Sequence, residues 1–119
     1  MDKTQTVAAL VAAILIVLDY ATGLAKGAAA HDIDSGKMRQ GLWHKATYLV
    51  VASLAIILEI GQKHIDMGFN VPLFIPVCVY IIVTELASIL ENLVQINPEL
   101  ADSPILDLFH TDHDRKDAS

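Results

Sequence analysis

The stretch from residue 71 to residue 95 constrains this chain most, because its first half is too apolar for an ordinary water-soluble helix. Residues 71–84 carry no charge. Polar side chains then return, and at about 100° per residue they share roughly one third of the helix circumference. This polar stripe consists of Thr84, Glu85, Ser88, Glu91, Asn92 and Gln95. We therefore predict a helix that is apolar nearly all round in its first half and has a polar stripe in its second.

A bilayer can surround such a helix only if the polar stripe faces protein or water. Ionisable groups at membrane depth are costly, and they usually mark function. The alternative is a soluble amphipathic helix whose stripe is solvated. Composition favours the membrane, because 54% of the residues are hydrophobic, only 18% are charged and the mean hydropathy is +0.48. Soluble domains are charged at about a quarter of their positions.

Two further apolar runs, residues 7–18 and 46–58, precede this stretch. A spanning helix needs about 20 mostly apolar residues, whereas shorter runs also suit core or re-entrant segments. Each run reaches spanning length only by including an acidic residue, namely Asp19, Glu59 or Glu85. We predict an all-α integral membrane protein with three apolar helices in residues 1–96 and a polar acidic tail in residues 97–119. Helices that are marginal alone depend on partners, which favours a homo-oligomer.

The helix boundaries follow from local signals. Residues 7–18 have the length of a signal-peptide core, but only Lys3 precedes them, so we expect the segment to be retained. Ser35 is the predicted N-cap of a second helix over about residues 37–61. Pro72 and Pro76 are expected to kink the third helix, which Asn97 and Pro98 end.

Basic residues predict the orientation in the membrane. We expect the first connection to be cytoplasmic, with Trp43 at headgroup level; its basic residues are Lys26, Lys37, Arg39 and Lys45. With the tail on the same side, six basic residues lie inside, against Lys3 and Lys63 outside. This predicts a multi-pass protein with its N-terminus outside and its C-terminus in the cytoplasm.

No catalytic signature is found, and we predict neither an enzyme nor a cofactor. Cys78 is expected to be a small buried hydrophobe, and the net charge of −6 argues against nucleic acid. The tail residues His110, Asp112, His113 and Asp114 fit a solvated tail better than a metal site.

The polar groups expected inside the membrane are Asp19, Thr22, Gly23 and Glu59. With Glu85 and Glu91, these acidic residues suit a proton relay or a water-filled path. Alternatively, Lys26, Lys45 or interhelical hydrogen bonds satisfy them. Asp19 and Lys26 lie about two turns apart on one helix face, which permits an intrahelical network with Thr22.

Three motifs carry a resemblance to a known family. They are Asp-Tyr-Ala-Thr-Gly at residues 19–23, Ser35 followed by Gly41, Leu42 and Lys45, and Glu-Leu-Ala-Ser-Ile-Leu-Glu-Asn-Leu at residues 85–93. Together they resemble the phage holins that include the toxin-secretion and lysis holins, over most of residues 7–95. The family usually continues with a turn containing Gly and Pro and with a basic tail, whereas this tail is acidic.

The resemblance implies a small integral protein of the bacterial cytoplasmic membrane without catalytic residues. It implies a homo-oligomer that opens lesions in the bilayer and releases an endolysin or a secreted toxin, its functional partner. In this reading the stripe residues Glu85, Ser88, Glu91, Asn92 and Gln95 make helix contacts and line the lesion. The alternatives are a small ion or proton channel or transporter subunit that uses the buried carboxylates, and a membrane scaffold without a pore.

Overall fold

A computed structural model describes residues 1–102 of the chain and contains three long α-helices. They are α1 (Lys3–Ala29), α2 (Ser35–His64) and α3 (Phe74–Ile96), and a short 3-10 helix (Pro98–Asp102) follows. No strand occurs within the described residues. The prediction of an all-α protein is therefore confirmed. Most of the predicted acidic tail, with its two histidines, lies outside the described residues.

Side-chain caps fix the starts of α1 and α2. Asp2 and Gln5 form a capping box at the start of α1, in which each side chain accepts from the other's backbone N–H at 2.8 and 3.0 Å. Asp34 caps α2, accepting from the backbone N–H of Gly36 and Lys37. The prediction that Ser35 is this cap is wrong. Asp34 is extended and aims its carboxylate at these N–H groups, so Ser35 becomes the first helical residue.

The two prolines near the start of the third helix do not interrupt it. It begins at Phe74, so Pro72 precedes it and Pro76 lies in its first turn. The backbone N–H groups of a helix's first turn have no intrahelical partner, so a proline at these positions removes no hydrogen bond. Neither proline therefore removes a hydrogen bond from the interior of α3. Asn97 ends the helix, as predicted.

The core forms where α3 packs between the other two helices. Ala55 of α2 and Phe74 and Cys78 of α3 form a buried cluster, and Ala8 and Ala9 of α1 pack against it. Small alanine side chains let α1 and α3 approach closely. Cys78 is 1% exposed, which confirms that it is a buried small hydrophobe. These contacts make α1 and α3 parallel, with α2 antiparallel to both.

The outer surface of the three helices is apolar. Large exposed apolar side chains occur on every helix, for example Leu10, Ile14, Leu54, Ile57 and Val83. All three helices are long enough and apolar enough to cross a membrane. A bilayer can cover such a surface, and three crossings put the two ends of the bundle on opposite sides of it.

Candidate functional site: two interhelical polar networks

One lysine, ten residues after the start of α2, joins all three helices at the level of the middle of α3. The Lys45 ammonium on α2 donates to Asp19 Oδ2 of α1 at 2.7 Å and to Glu85 Oε2 of α3 at 2.6 Å. The side chains of Asp19 and Lys45 are 12% and 13% exposed, and that of Glu85 is 3% exposed. Two carboxylates share one cation, so the formal charge of the cluster is −1.

Asn92 extends this cluster one turn further along α3. Its amide nitrogen donates to Asp19 Oδ1 and to Thr22 Oγ1, each at 3.0 Å. The Thr22 hydroxyl donates in turn to the Asp19 carbonyl at 3.1 Å. We call Asp19, Thr22, Lys45, Glu85 and Asn92 the Lys45 network. Charge-assisted hydrogen bonds of this kind are stronger than neutral ones, so the network fixes how the three helices face one another.

A second network lies at the end of the bundle where α3 begins. Glu59 Oε1 on α2 accepts from the backbone N–H of Leu73 and Phe74 at 2.7 and 3.0 Å. The other carboxylate oxygen accepts from the Gln5 amide of α1. The carboxylate thus supplies the N-terminal cap that α3 lacks from its own side chains. We call Gln5, Glu59 and these two N–H groups the Glu59 network.

An apolar layer separates the two networks. Gln5 and Asp19 are fourteen residues apart on α1, as are Lys45 and Glu59 on α2. At 1.5 Å rise per residue the networks lie about 21 Å apart, which is less than the 30 Å hydrocarbon core of a bilayer. Ala12, Ala55, Cys78 and Ile81 are buried between them. A single copy therefore has polar groups at two levels of its interior, with an apolar layer between them.

A cleft opens beside the Lys45 network. It has a volume of about 420 Å³ and runs between the end of α1, the start of α2 and the last turns of α3. Lys45 and Asp19 line it, together with Ser88 and Gln95 of the stripe. Gly23 also lies there, where an added Cβ would be 3.8 Å from the Asn92 amide nitrogen. Within residues 1–102, no group of three or more His, Cys, Asp or Glu residues is arranged to hold a metal ion.

Comparison with known proteins identifies the family. The family model described as "Bacteriophage holin family" matches residues 4–103, which is most of the chain and all three helices. The chain belongs to the bacteriophage holin family. No curated protein matches it, and no solved structure matches it. Holins are membrane pore-forming proteins rather than enzymes, so together with the three apolar helices the match makes the chain a holin-like multi-pass protein of the cytoplasmic membrane.

In this holin the polar stripe of α3 divides between the interior and the surface. Glu85 and Asn92 are 2% and 6% exposed and lie in the Lys45 network. Ser88 is half-buried, whereas Glu91 and Gln95 are exposed. The division arises because the stripe covers about 120° of the helix and only its inner edge faces α1 and α2. The five residues predicted to act together therefore lie in different environments.

The residues predicted to be buried and polar lie between the helices. Asp19, Thr22, Gly23 and Glu59 are all half-buried, and the first three adjoin Asn92. Asp19 pairs with Lys45 rather than Lys26. Lys26 lies about 10 Å beyond Asp19 along α1, whereas Lys45 reaches Asp19 from α2 at the same level.

The residues predicted at the interface are divided in the same way. Lys37, Arg39 and Trp43 are exposed, whereas Lys26 and Lys45 are half-buried; Lys26 and Lys37 both line the cleft, and Lys45 belongs to the network. Lys45 therefore belongs to the packing of the bundle rather than to its surface.

Sequence reasoning missed Gln5 and Gln62. Gln5 is buried and joins the capping box to the Glu59 network. The Gln62 side-chain oxygen accepts from the Val71 N–H, across the second connection. The Asp-x-x-Gln pattern at residues 2–5 was the available signal for the capping box.

Proposed function

We propose that this holin assembles into homo-oligomers that permeabilise the bacterial cytoplasmic membrane and release an endolysin or a secreted toxin. The observation that carries the proposal is the inward placement of polar groups in three apolar helices. Asp19, Lys45 and Glu85 satisfy one another inside the bundle, while the outside is apolar. A single copy is therefore suited to lie in the bilayer without disturbing it.

The apolar layer supports a lesion built from several copies rather than a pore through one. Ala12, Ala55, Cys78 and Ile81 occlude the interior between the two networks. Water and proteins need a continuous polar surface, which the interior formed by residues 1–102 of one copy does not offer. In our proposal the marginal helices associate, and in large assemblies the Lys45 network opens so that Glu85 and Asn92 face water.

We further propose that the N-terminus lies outside and that residues 97–119 form a cytoplasmic tail. Lys45 is held in an ion-pair network, so it contributes less to the surface charge of the first connection. Without it the count is five basic residues inside against two outside, and the bias keeps its direction.

The test is release of a cytoplasmic enzyme from bacteria after the holin is induced. Glu85→Leu and Asn92→Leu should abolish release and leave membrane insertion intact or improved. A carboxylate at a helix centre costs roughly 2.5–3.5 kcal/mol on insertion scales, so its loss helps insertion. Glu85→Gln should be milder, because it keeps hydrogen-bonding capacity.

Leu90→Ile is the matched control, because it changes α3 outside the stripe and should leave release unchanged. Insertion is measured by carbonate washing of membranes. Undiminished release from inserted Glu85→Leu and Asn92→Leu proteins would contradict the assignment of this face to the lesion.

An ion or proton channel is the second candidate, and the cleft favours it. The cleft reaches Asp19 and Lys45, so aqueous ions have access to ionisable groups from one end of the bundle. Currents through purified protein in planar bilayers separate the two functions. A channel gives small, ion-selective conductance without enzyme release, whereas a holin releases proteins.

A further inference from the structure

Glu91 lies on an outward face of α3, and at the other end of this face the Tyr80 ring meets Tyr48 of α2 edge to face, with ring centroids 6.3 Å apart. Counting by three and four residues from Tyr80 gives Val83, Ala87 and Glu91, and all four are exposed. This face points away from the buried side of α3, which carries Glu85 and Asn92. Among residues 1–102 Glu91 makes no salt bridge. The result is a carboxylate at the end of an otherwise largely apolar stripe.

The outward face of α2 has complementary features. Arg39, Trp43, Thr47 and Val50 follow one another at intervals of four, four and three residues, and all are exposed. At 100° per residue they lie opposite Lys45 and Ala55, which face α3 and the core. Trp43 is 70% exposed. This stripe ends in a cation, where the stripe on α3 ends in an anion.

The Lys45–Glu85 ion pair sets the relative heights of the two stripes. Its 2.6 Å contact puts Lys45 and Glu85 at about the same depth. Glu91 is six residues from Glu85 and Arg39 is six residues from Lys45, both toward the same end of the bundle. Each therefore lies about 9 Å beyond the ion pair. Two copies with the same orientation in one bilayer bring Arg39 of one and Glu91 of the other to one level.

The other residues of the two faces also lie at matching depths when they are counted from Glu85 and Lys45. Ala87 lies at the level of Trp43, Val83 at that of Thr47, and Tyr80 at that of Val50. The small Ala87 side chain leaves room for the indole ring, and small residues permit close approach of helices in membranes. Because α2 and α3 run in opposite directions, the two faces meet as an antiparallel helix pair.

We propose that the Tyr80–Val83–Ala87–Glu91 face of α3 binds the Arg39–Trp43–Thr47–Val50 face of α2 in a second copy of this chain. The proposal rests on the proposed function and specifies the contact through which copies assemble. Opposite charges and a large residue facing a small one at matched depth favour a second copy over lipid alone. The two faces differ, so the contact is heterologous, and each copy of a pair keeps its other face free to bind a further copy.

A heterologous contact repeats from copy to copy. It forms rings if the rotation closes and open arrays if it does not. A closed ring has a number of copies fixed by this rotation, whereas an open array grows without such a limit. This property suits a protein that accumulates in the membrane and forms large lesions.

Disulfide cross-linking in membranes tests the contact directly. In full-length Cys78→Ala protein, copies carrying Val83→Cys are co-expressed with differently tagged copies carrying Thr47→Cys, the residue at the same level, and an oxidant is added. We expect cross-linked dimers that contain both tags. Leu49→Cys is the matched control, because it is exposed on another side of α2 and should cross-link little.

Exchanging the charges of Arg39 and Glu91 tests the proposed ion pair between copies. Glu91→Arg or Arg39→Glu in every copy should lower the yield of Val83–Thr47 cross-links roughly threefold to tenfold, since like charges then meet at a partly desolvated site. The chain that carries both changes should restore the yield, which a folding defect would not do. Carbonate washing confirms that each variant is inserted.

The outcomes separate this contact from the proposed function. Equal cross-linking at Thr47 and Leu49, or dimers from Val83→Cys copies alone, would overturn the heterologous contact. Failure of the double exchange to restore the yield would overturn the ion pair and favour lipid headgroups or the chain's own tail as the partner of Glu91. Specific cross-links in a wild-type protein that releases no enzyme would support the contact and contradict the lesion.

Discussion

Replacing Lys45 by methionine removes the one cation of the Lys45 network. Methionine keeps most of the aliphatic volume, so the change isolates the charge and the hydrogen bonds. Glu85, with a side chain 3% exposed, then loses the hydrogen bond that Lys45 donates. Asp19 keeps its bond from Asn92 at 3.0 Å. Two carboxylates therefore remain close together without a counter-charge.

The expected cost lies between two reference values. Breaking a buried ion pair in a soluble protein costs about 3–5 kcal/mol, whereas single interhelical hydrogen bonds in membranes average about 0.6 kcal/mol. Lys45 makes two short charge-assisted contacts, but Asp19 keeps another donor. We therefore expect the three-helix arrangement to lose about 3 kcal/mol of unfolding free energy, between these limits.

The assay is titration of the purified protein with SDS in mixed micelles. Dyes at Ala25→Cys on α1 and Ile96→Cys on α3, in Cys78→Ala protein, report the separation of these helices by energy transfer. Lys37→Met is the matched control. It removes an exposed lysine from the same helix and should change the free energy by less than about 0.5 kcal/mol.

A rescue variant tests the electrostatic reasoning. Lys45→Met combined with Asp19→Asn and Glu85→Gln removes all three charges and should recover most of the lost stability, because replacing a whole buried ion cluster is far less costly than breaking it. If Lys45→Met is as stable as Lys37→Met, or if the triple variant stays as unstable as Lys45→Met, the ion pairs do not hold the helices together.

Two further predictions concern the Glu59 network and the orientation. In the same titration, Glu59→Ala should lower the unfolding free energy by about 0.5–2 kcal/mol, the usual value of an N-cap. Glu59→Gln should lower it by less, because its side-chain oxygen still accepts from the Leu73 and Phe74 N–H groups. Equal losses in both variants would contradict a capping role. In intact cells that express the Cys78→Ala protein, Asn70→Cys should react with a membrane-impermeant thiol reagent and Glu99→Cys should not. The basic-residue count puts residue 70 outside the cell and residue 99 in the cytoplasm. The reverse labelling would refute this orientation.

Local signals in the chain were enough to predict the class of protein and the approximate extent of its helices. Long apolar runs and capping residues act locally, and they depend little on the rest of the chain. For this reason three apolar helices were predictable, as was the end of α3 at Asn97. The Ser35 cap was wrong because adjacent Asp34 and Ser35 are both good caps, and only the backbone geometry decides between them.

The tertiary structure decided which polar groups meet. The sequence offered Lys26 and Lys45 as partners for Asp19, and the choice depends on the rotation and relative height of separate helices. The division of the stripe into buried Asn92 and exposed Glu91, one residue apart, has the same origin. The cap that Glu59 supplies to α3 joins residues fourteen or more apart through a turn, so no local pattern reveals it. Pairing between helices is a property of their packing, and packing is not local.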